Sequence, residues 1–303
     1  MTSGASHKSR KEMMAILFMV INTIAISAVY VSTKFLTASL HPNQVAFLYK
    51  FSCLLVVVPW CIATGFRQSI KTFRMGLHVT RGVFSFMGAV CFAYSISKIK
   101  LTDASAIAYL ENVIVLCVGV FYFKEKLNTA KVILISFGFV GAVFVTNPSL
   151  DGFVTDYVFM FLALIFWAIN NLTIKVLGKT EGTKAQLFYG TLFGSLFSMP
   201  MAIHEWRPIE LYHLKYIIAL ALFHGIHSIA FFKAFKFSDV SSVMPFDYLR
   251  LVFTGLFGYL FFYEIPQTSS IFGYILIVSG GMYFIHHEGK KNGLYKKKSF
   301  SEK

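Results

Sequence analysis

Residues 109–125, YLENVIVLCVGVFYFKE, align without a gap on residues 248–264, YLRLVFTGLFGYLFFYE. Tyr109 falls on Tyr248, Leu110 on Leu249, Val113 on Val252, Gly119 on Gly258, Phe123 on Phe262 and Glu125 on Glu264. The sharp difference is Glu111 against Arg250, opposite charges at equivalent places in two apolar runs. The second run lies in Pro245 to Pro266, a stretch long enough to cross a bilayer, and it also carries Asp247. Charge inside such a run is costly and asks for a function.

The surrounding composition sets the solvent. A chain of 303 residues that is 56% hydrophobic and 17% aromatic, with only 14% charged residues, lies far outside the range of soluble domains. Its apolar residues come in runs of about 20, the length a helix needs to cross the hydrocarbon core. The alternating short segments of a barrel are absent from the pattern. The net charge of +14 is carried by Lys and Arg in loops and tails between the runs, which argues against a nucleic-acid partner. Cys53, Cys61, Cys91 and Cys117 all fall inside apolar runs without metal-ligand spacing, so no metal or other cofactor is expected.

Ten spans follow, at approximately 13–33, 44–65, 76–97, 104–123, 129–147, 156–176, 185–203, 215–233, 240–262 and 267–286. With both termini cytoplasmic, twenty of the 28 Lys and Arg flank the spans on the inner side. Five lie on the outer side, Lys34, Lys98, Lys100, Arg207 and Lys215. That asymmetry orients the chain. The repeat reaches beyond the opening pair. Phe18, Met19 and Lys34 match Phe159, Met160 and Lys175; Phe47 and Pro59 match Phe188 and Pro200; Asp103 and Ser105 match Asp239 and Ser241; Gly141 matches Gly280. Five spans per half is an odd number, so the second half enters the membrane from the opposite side. The fold expected is an all-α polytopic membrane protein, ten transmembrane helices in two inverted five-helix repeats. Inverted repeats place a binding site near the midplane where the halves meet.

The two halves, the helix-ending Glu125 and Glu264, and the Gly-rich fifth and tenth spans resemble the drug/metabolite transporter superfamily, in its ten-helix EamA-type branch. Within that branch the Pro245–Pro266 stretch is similar to the ninth helix of S-adenosylmethionine uptake transporters of obligate intracellular bacteria. Those relatives place Arg then Glu where this chain has Asp247 then Arg250. The resemblance implies two EamA-type repeats, 13–147 and 156–286. Around them lie a basic cytoplasmic N-terminus at 1–12, a linker at 148–155 and a basic cytoplasmic tail at 287–303.

Glu111 and Arg250 are the leading substrate-binding candidates, since equivalent positions of inverted halves face one another. They could pair in an empty cavity and separate to meet a zwitterion. A fixed ion pair, or pairing of Arg250 with Asp247 on one helix face, is the structural alternative. Asn170 and Asn171 offer amides deep in the sixth span, for substrate or for helix-to-helix hydrogen bonds. Trp167, Tyr94, Tyr109 and Tyr248 could form a stacking wall for a planar or cationic solute. His224 and His227, three residues apart on one face, could relay a proton. Lys50 and Arg81 read as snorkelling side chains near span ends. Gly190 with Gly194, Gly138 with Gly141, and Gly280 with Gly281 allow close helix approach. Glu125 and Glu264 are expected to act structurally at the turns that follow them.

The function implied is a secondary transporter of a small organic metabolite across the inner membrane by alternating access, S-adenosylmethionine being the specific expectation. An exporter of amino acids or other metabolites of the superfamily is the alternative. A membrane-embedded enzyme would need a convergent acid, base or metal set, and the polar residues are scattered singly over several spans. No G-x-x-x-x-G-K-[ST] motif occurs. The partners expected are the lipid bilayer and a small-molecule substrate, the protein being a monomer or weak homodimer.

Overall fold

The computed structural model describes residues 2–121, 129–146, 155–178, 180–237 and 246–291, and all regular structure in them is helical. The helices are α1 (Thr2–Thr37), α2 (Pro42–Ala63), α3 (Phe66–Ser69), α4 (Met75–Ile96), α5 (Leu101–Ala108) and α6 (Leu110–Phe121). The second half has α7 (Thr129–Thr146), α8 (Thr155–Leu177), α9 (Thr183–His204), α10 (Leu211–Phe237), α11 (Leu249–Phe262) and α12 (Thr268–Lys291). Among the described residues six stretches are long and apolar enough to cross a membrane: Met13–Thr37, Pro42–Ala63, Met75–Ile96, Asp156–Ile174, Leu211–Phe231 and Thr268–His287. Shorter apolar helices cover Thr129–Val145 and Leu249–Phe262. α9 is long enough but carries Lys184, Gln186 and several Ser and Thr, which lower its hydropathy.

The bundle is apolar outward and partly polar inward. Leu17, Leu55, Ile218, Val252 and Phe272 are exposed, while Asn22, Thr23, Ser27, Ser32 and Thr33 of α1 are buried. A surface of that kind suits lipid, which does not penalise exposed side-chain hydrocarbon. The main core gathers around α5, every residue of which is buried, together with Val29, Tyr30, Phe92, Ile96, Met160 and Leu164.

The packing pairs exchange when one half is mapped on the other. α1 lies on α10 as α4 lies on α8, α1 on α11 as α8 on α6, and α4 on α9 as α10 on α2, while α2 with α9 and α7 with α12 are matched pairs. Glycine lets α7 and α12 touch by backbone: a Cβ at Gly141 would stand 2.9 Å from the Gly273 carbonyl, and one at Gly273 would stand 2.5 Å from the Gly141 carbonyl. A Cβ at Gly138 would press on Val113, and one at Gly280 on Phe137. Pro59 and Pro200 both lie inside helices, α2 and α9.

Polar clamps hold the ends. At one end Gln44 exchanges two hydrogen bonds with the Arg207 backbone, at 2.9 and 3.0 Å, and the Arg207 guanidinium donates to the Ser39 carbonyl at 2.8 Å. The same end holds Glu264, which ion-pairs with Lys34 and accepts from the Leu101 N–H at 2.7 Å. Lys34 also donates to the Ile99 carbonyl at 2.6 Å. Glu264 therefore caps α5 and ties it to α1 and α11, a longer reach than the local turn role read from the sequence. Glu125 lies outside the described residues, as do Asp239 and Ser241.

At the other end Glu181, between α8 and α9, bonds His78 of α4 and accepts from Thr72 Oγ1 at 2.5 Å and from the Phe73 and Arg74 N–H groups at 3.2 Å. The side chains of His78 and Glu181 are almost fully enclosed, 0% and 1% exposed. Burial by itself would raise the Glu181 carboxyl, but the bonds from Thr72, His78 and Phe73 outweigh it and hold the carboxyl below the usual carboxylate range.

Candidate functional site

The two equivalent stretches quoted at the outset each contain a break at the same residue. Helical pairing is interrupted at Tyr109, between α5 and α6, and at Tyr248, before α11. Both keep φ near −65° with ψ of only −19° and −15°. Each break is tightened by a bond over three residues, Tyr109 N–H to the Ala106 carbonyl at 3.2 Å and Leu251 N–H to the Tyr248 carbonyl at 3.1 Å. That is 3₁₀ geometry inside a longer helix. The rings of Tyr109 and Tyr248 meet at 4.5 Å between centroids, and Tyr109 Oη donates to the Asp247 carbonyl at 2.7 Å. The two breaks thus touch each other in the bundle interior. Tyr248 projects its hydroxyl onto α12, where a Cβ at Gly281 would stand 1.4 Å from it.

Charge collects around this contact. The Arg250 guanidinium lies over the Tyr109 ring at 4.4 Å and 4.0 Å from the Asp247 carboxylate. Asn22 of α1 donates to Asp247 Oδ1 at 3.4 Å. Tyr30 of α1 lies within electrostatic reach of Arg250, Glu111 and Asp247. Glu111 is within reach of Arg250, but its hydrogen bond comes from the Asn171 side chain. The structure therefore brings Glu111 and Arg250 to one polar region, with Asp247 and Tyr109 as the direct partners of Arg250.

The paired asparagines extend that region across α8. Asn170 Nδ2 donates to Asn171 Oδ1 at 3.4 Å, and Asn170 Oδ1 accepts from Arg81 Nε at 3.3 Å. Arg81 also bonds the Gln186 carbonyl and is only 7% exposed. Its side chain turns into the bundle rather than snorkelling outward. The physical reason is local: α9 offers Gly190, where a Cβ would stand 2.8 Å from Arg81 Cζ, and a carbonyl that accepts the cation. Lys50 lies one turn along, against Gly194, with its ammonium 5.1 Å from the Tyr49 ring centroid. Gly190 and Gly194 thus make room for two cationic side chains.

His224 and His227 stand edge-on with centroids 5.9 Å apart, His224 packing on Tyr49 at 4.9 Å. Lys50 is within electrostatic reach of His224, and Arg250 of His227. Neither Nδ1 has a hydrogen-bond partner among the described residues. Each imidazole thus stands near one cationic group, and neither Nδ1 has a described partner to pass a proton on.

The other two candidate aromatics pack on neighbouring rings. Trp167 packs on Phe92 at 5.3 Å and fills the space over Gly88. Tyr94 packs on Phe159 at 5.3 Å and meets His41 edge-on at 5.8 Å. Of the four candidate wall residues, only Tyr109 and Tyr248 make a ring pair with each other among the described contacts. Residues that sequence reasoning did not single out are Asn22 and Tyr30. The signal for Asn22 is the set of Asn22, Thr23, Ser27, Ser32 and Thr33 within an otherwise strongly apolar helix, polar groups that need partners inside the bundle. A cavity of about 610 Å³ lined by Trp60, Lys71 and Lys184 shares no lining residue with the polar track. Among the described residues no group of three or more His, Cys, Asp and Glu could hold a metal ion.

Comparison with known proteins gives this geometry its context. A family profile described as the EamA-like transporter family matches residues 13–147 and again 155–285. An S-adenosylmethionine uptake transporter of Rickettsia bellii (strain RML369-C) is 27% identical over 270 residues, 89% of this chain and 92% of that protein. A riboflavin transporter of Vibrio cholerae serotype O1 is 24% identical over 91% of both chains. The pseudopaline exporter CntI of Pseudomonas aeruginosa is 24% identical over 87% of this chain and 93% of its own. A crystal structure with 16% sequence identity superposes with a TM-score of 0.63, covering 91% of this chain and 98% of that one, which speaks to the fold alone.

Proposed function

This chain belongs to the EamA-like transporter family, and from that premise we propose that it is a secondary transporter that moves a small zwitterionic metabolite across the inner membrane by alternating access. S-adenosylmethionine is the specific substrate proposed, moved by uptake or exchange. The observation that carries this reading is the polar track Arg81–Asn170–Asn171–Glu111, which runs from buried Arg81 to exposed Asn171 beside Asp247, Arg250 and the Tyr109–Tyr248 pair in an otherwise apolar bundle. Separated charges of both signs suit a solute that carries both. A tilted tyrosine pair beside the Asp247 carboxylate suits an aromatic base and a cationic centre. The two matched 3₁₀ breaks supply places where helices could bend between an outward-open and an inward-open state.

In this reading the bundle has ten spans in two inverted repeats, 13–147 and 156–286. Both termini, including the basic tail at 287–303, are cytoplasmic, in line with the distribution of Lys and Arg, and the linker at 148–155, which follows five spans, lies on the opposite side. His224 and His227 carry the coupling proton. The relatives are named for uptake of S-adenosylmethionine, for riboflavin and for pseudopaline export, so the exporter reading is the specific alternative.

The test is uptake of radiolabelled S-adenosylmethionine into proteoliposomes holding the purified chain, with and without internal unlabelled solute. Saturable, counterflow-stimulated uptake is expected. Saturable movement of riboflavin or an amino acid with none of S-adenosylmethionine would replace the proposed substrate. Absence of transport for every solute in that panel would remove the uptake reading.

A further inference from the structure

Among the described residues, two cationic side chains in the interior, Lys50 and Arg81, have no carboxylate in ion-pair contact. They lie within electrostatic reach of each other, and the ion pairs found among the described residues are Lys34 with Glu264, His78 with Glu181, His204 with Glu205 and Arg250 with Asp247. Arg81 meets two neutral acceptors, the Asn170 side chain and the Gln186 carbonyl. Lys50, half-buried, has the face of Tyr49 as its described partner.

Position makes this unusual. Gly194 is the twelfth of the 22 residues of α9, so Lys50 is near the middle of that helix and Arg81 one turn nearer its start. Two like charges there repel each other and are poorly solvated, so their native arrangement leaves a charge debt that an anion would remove. The debt is built in, because α9 has glycine at both places where a side chain would push the cations away. Across the asparagine bridge stands Glu111, so the track is cationic at one end and anionic at the other.

We propose that Lys50 and Arg81, lying over Gly194 and Gly190 of α9, form the anion-binding end of the transport site and take the carboxylate of the transported zwitterion. The inference rests on the transporter reading above and names the part of the substrate that this end recognises. The cationic part then faces Glu111, Asp247 and the tyrosine pair. Arg81 supplies a planar donor and Lys50 a mobile point charge, a combination that can follow a carboxylate through a change of helix tilt.

Two measurements on the purified full chain test it. In the first, thermal unfolding is followed while acetate replaces chloride at constant ionic strength. The acetate-dependent rise in Tm is expected in the parent and is expected to shrink in Lys50→Gln and Arg81→Lys. An equal response in all three proteins overturns the proposal whatever the transported solute is. In the second, binding of S-adenosylmethionine is compared with that of its decarboxylated analogue. The parent is expected to prefer the carboxylated form by on the order of tenfold, and Lys50→Gln to bring that ratio close to one. A ratio preserved in both variants overturns the carboxylate assignment. Were neither nucleoside bound while the acetate response held, the anion site would stand and S-adenosylmethionine would be the wrong substrate. Transport of S-adenosylmethionine without either effect would leave the transporter reading and remove the subsite.

Discussion

At the scale of single residues, Arg250 has the most to lose. Its guanidinium is shared between the Asp247 carboxylate and the Tyr109 face, and its Nε has no hydrogen-bond partner among the described residues. Arg250→Gln is therefore expected to cut transport by more than tenfold while the protein still inserts and runs as a single species. Arg250→Lys should recover part of the charge effect but not the planar stacking on Tyr109. The double exchange Glu111→Arg with Arg250→Glu should transport better than either single exchange, since it restores one charge of each sign to the region. A double variant as inactive as both singles, with normal insertion, would show that the local pairing with Asp247 governs Arg250.

At the scale of elements, the ends of α5 and α11 are set by one carboxylate. Glu264 follows a left-handed turn at Tyr263, φ 55°, whose N–H groups close onto the Gly258 and Tyr259 carbonyls. That turn puts the Glu264 side chain against the Leu101 N–H and Lys34. Replacing it separates two effects. Glu264→Gln keeps an acceptor for α5 and loses the ion pair, whereas Glu264→Ala loses both. Thermal denaturation should rank parent, Gln and Ala in that order, the Gln-to-Ala step reflecting a lost helix cap of about 1 kcal/mol. Equal melting of all three would show that the cap carries no stability. The α7–α12 contact invites a second measurement. Gly273→Ala sets a methyl group against the Gly141 carbonyl and should cost about 2 kcal/mol through backbone separation. The same substitution at Gly182, where an added Cβ meets nothing within 4 Å, should cost less, no more than the loss of a glycine N-cap on α9, under about 1 kcal/mol.

At the scale of the whole molecule, polar clamps at both ends frame the apolar bundle, and one is pH-sensitive. The Glu181 carboxyl is held below its ordinary range, so the folded state favours its ionised form. Its contribution is fully present above the unfolded carboxylate range, about pH 4.3, and is lost as pH falls through the lower folded value. Glu181→Gln should thus melt earlier than the parent at pH 7, with the gap closing below about pH 4. A gap independent of pH would mean that the clamp acts by shape and not by charge. Since Glu181 joins the α2–α4 connection to the α8–α9 connection, its loss should also raise the accessibility of that end to thiol or protease probes.

Much of this was legible in the linear chain, for reasons that differ by level. Membrane class follows from composition, because apolar runs of span length have no other stable solvent. The two-part organisation follows from matches such as Tyr109 with Tyr248, which survive as sequence because both halves solve the same packing problem. Lys and Arg placement carries the proposed orientation. Which polar groups meet is a different matter, since it depends on helix rotation and crossing. Arg81 near a helix start can reach outward or inward with equal ease in the sequence; Gly190 of α9, remote in the chain, with the Gln186 carbonyl and the Asn170 side chain, turns it inward. Likewise Glu111 and Arg250 are equivalent by alignment, yet Asn171 and Asp247 are their nearest partners because those lie closer in three dimensions. The sequence by itself determined the solvent and the repeat, which are sums over many residues. Tertiary structure alone decided the track from Arg81 to Glu111, because that rests on a few directional contacts between helices far apart in the chain.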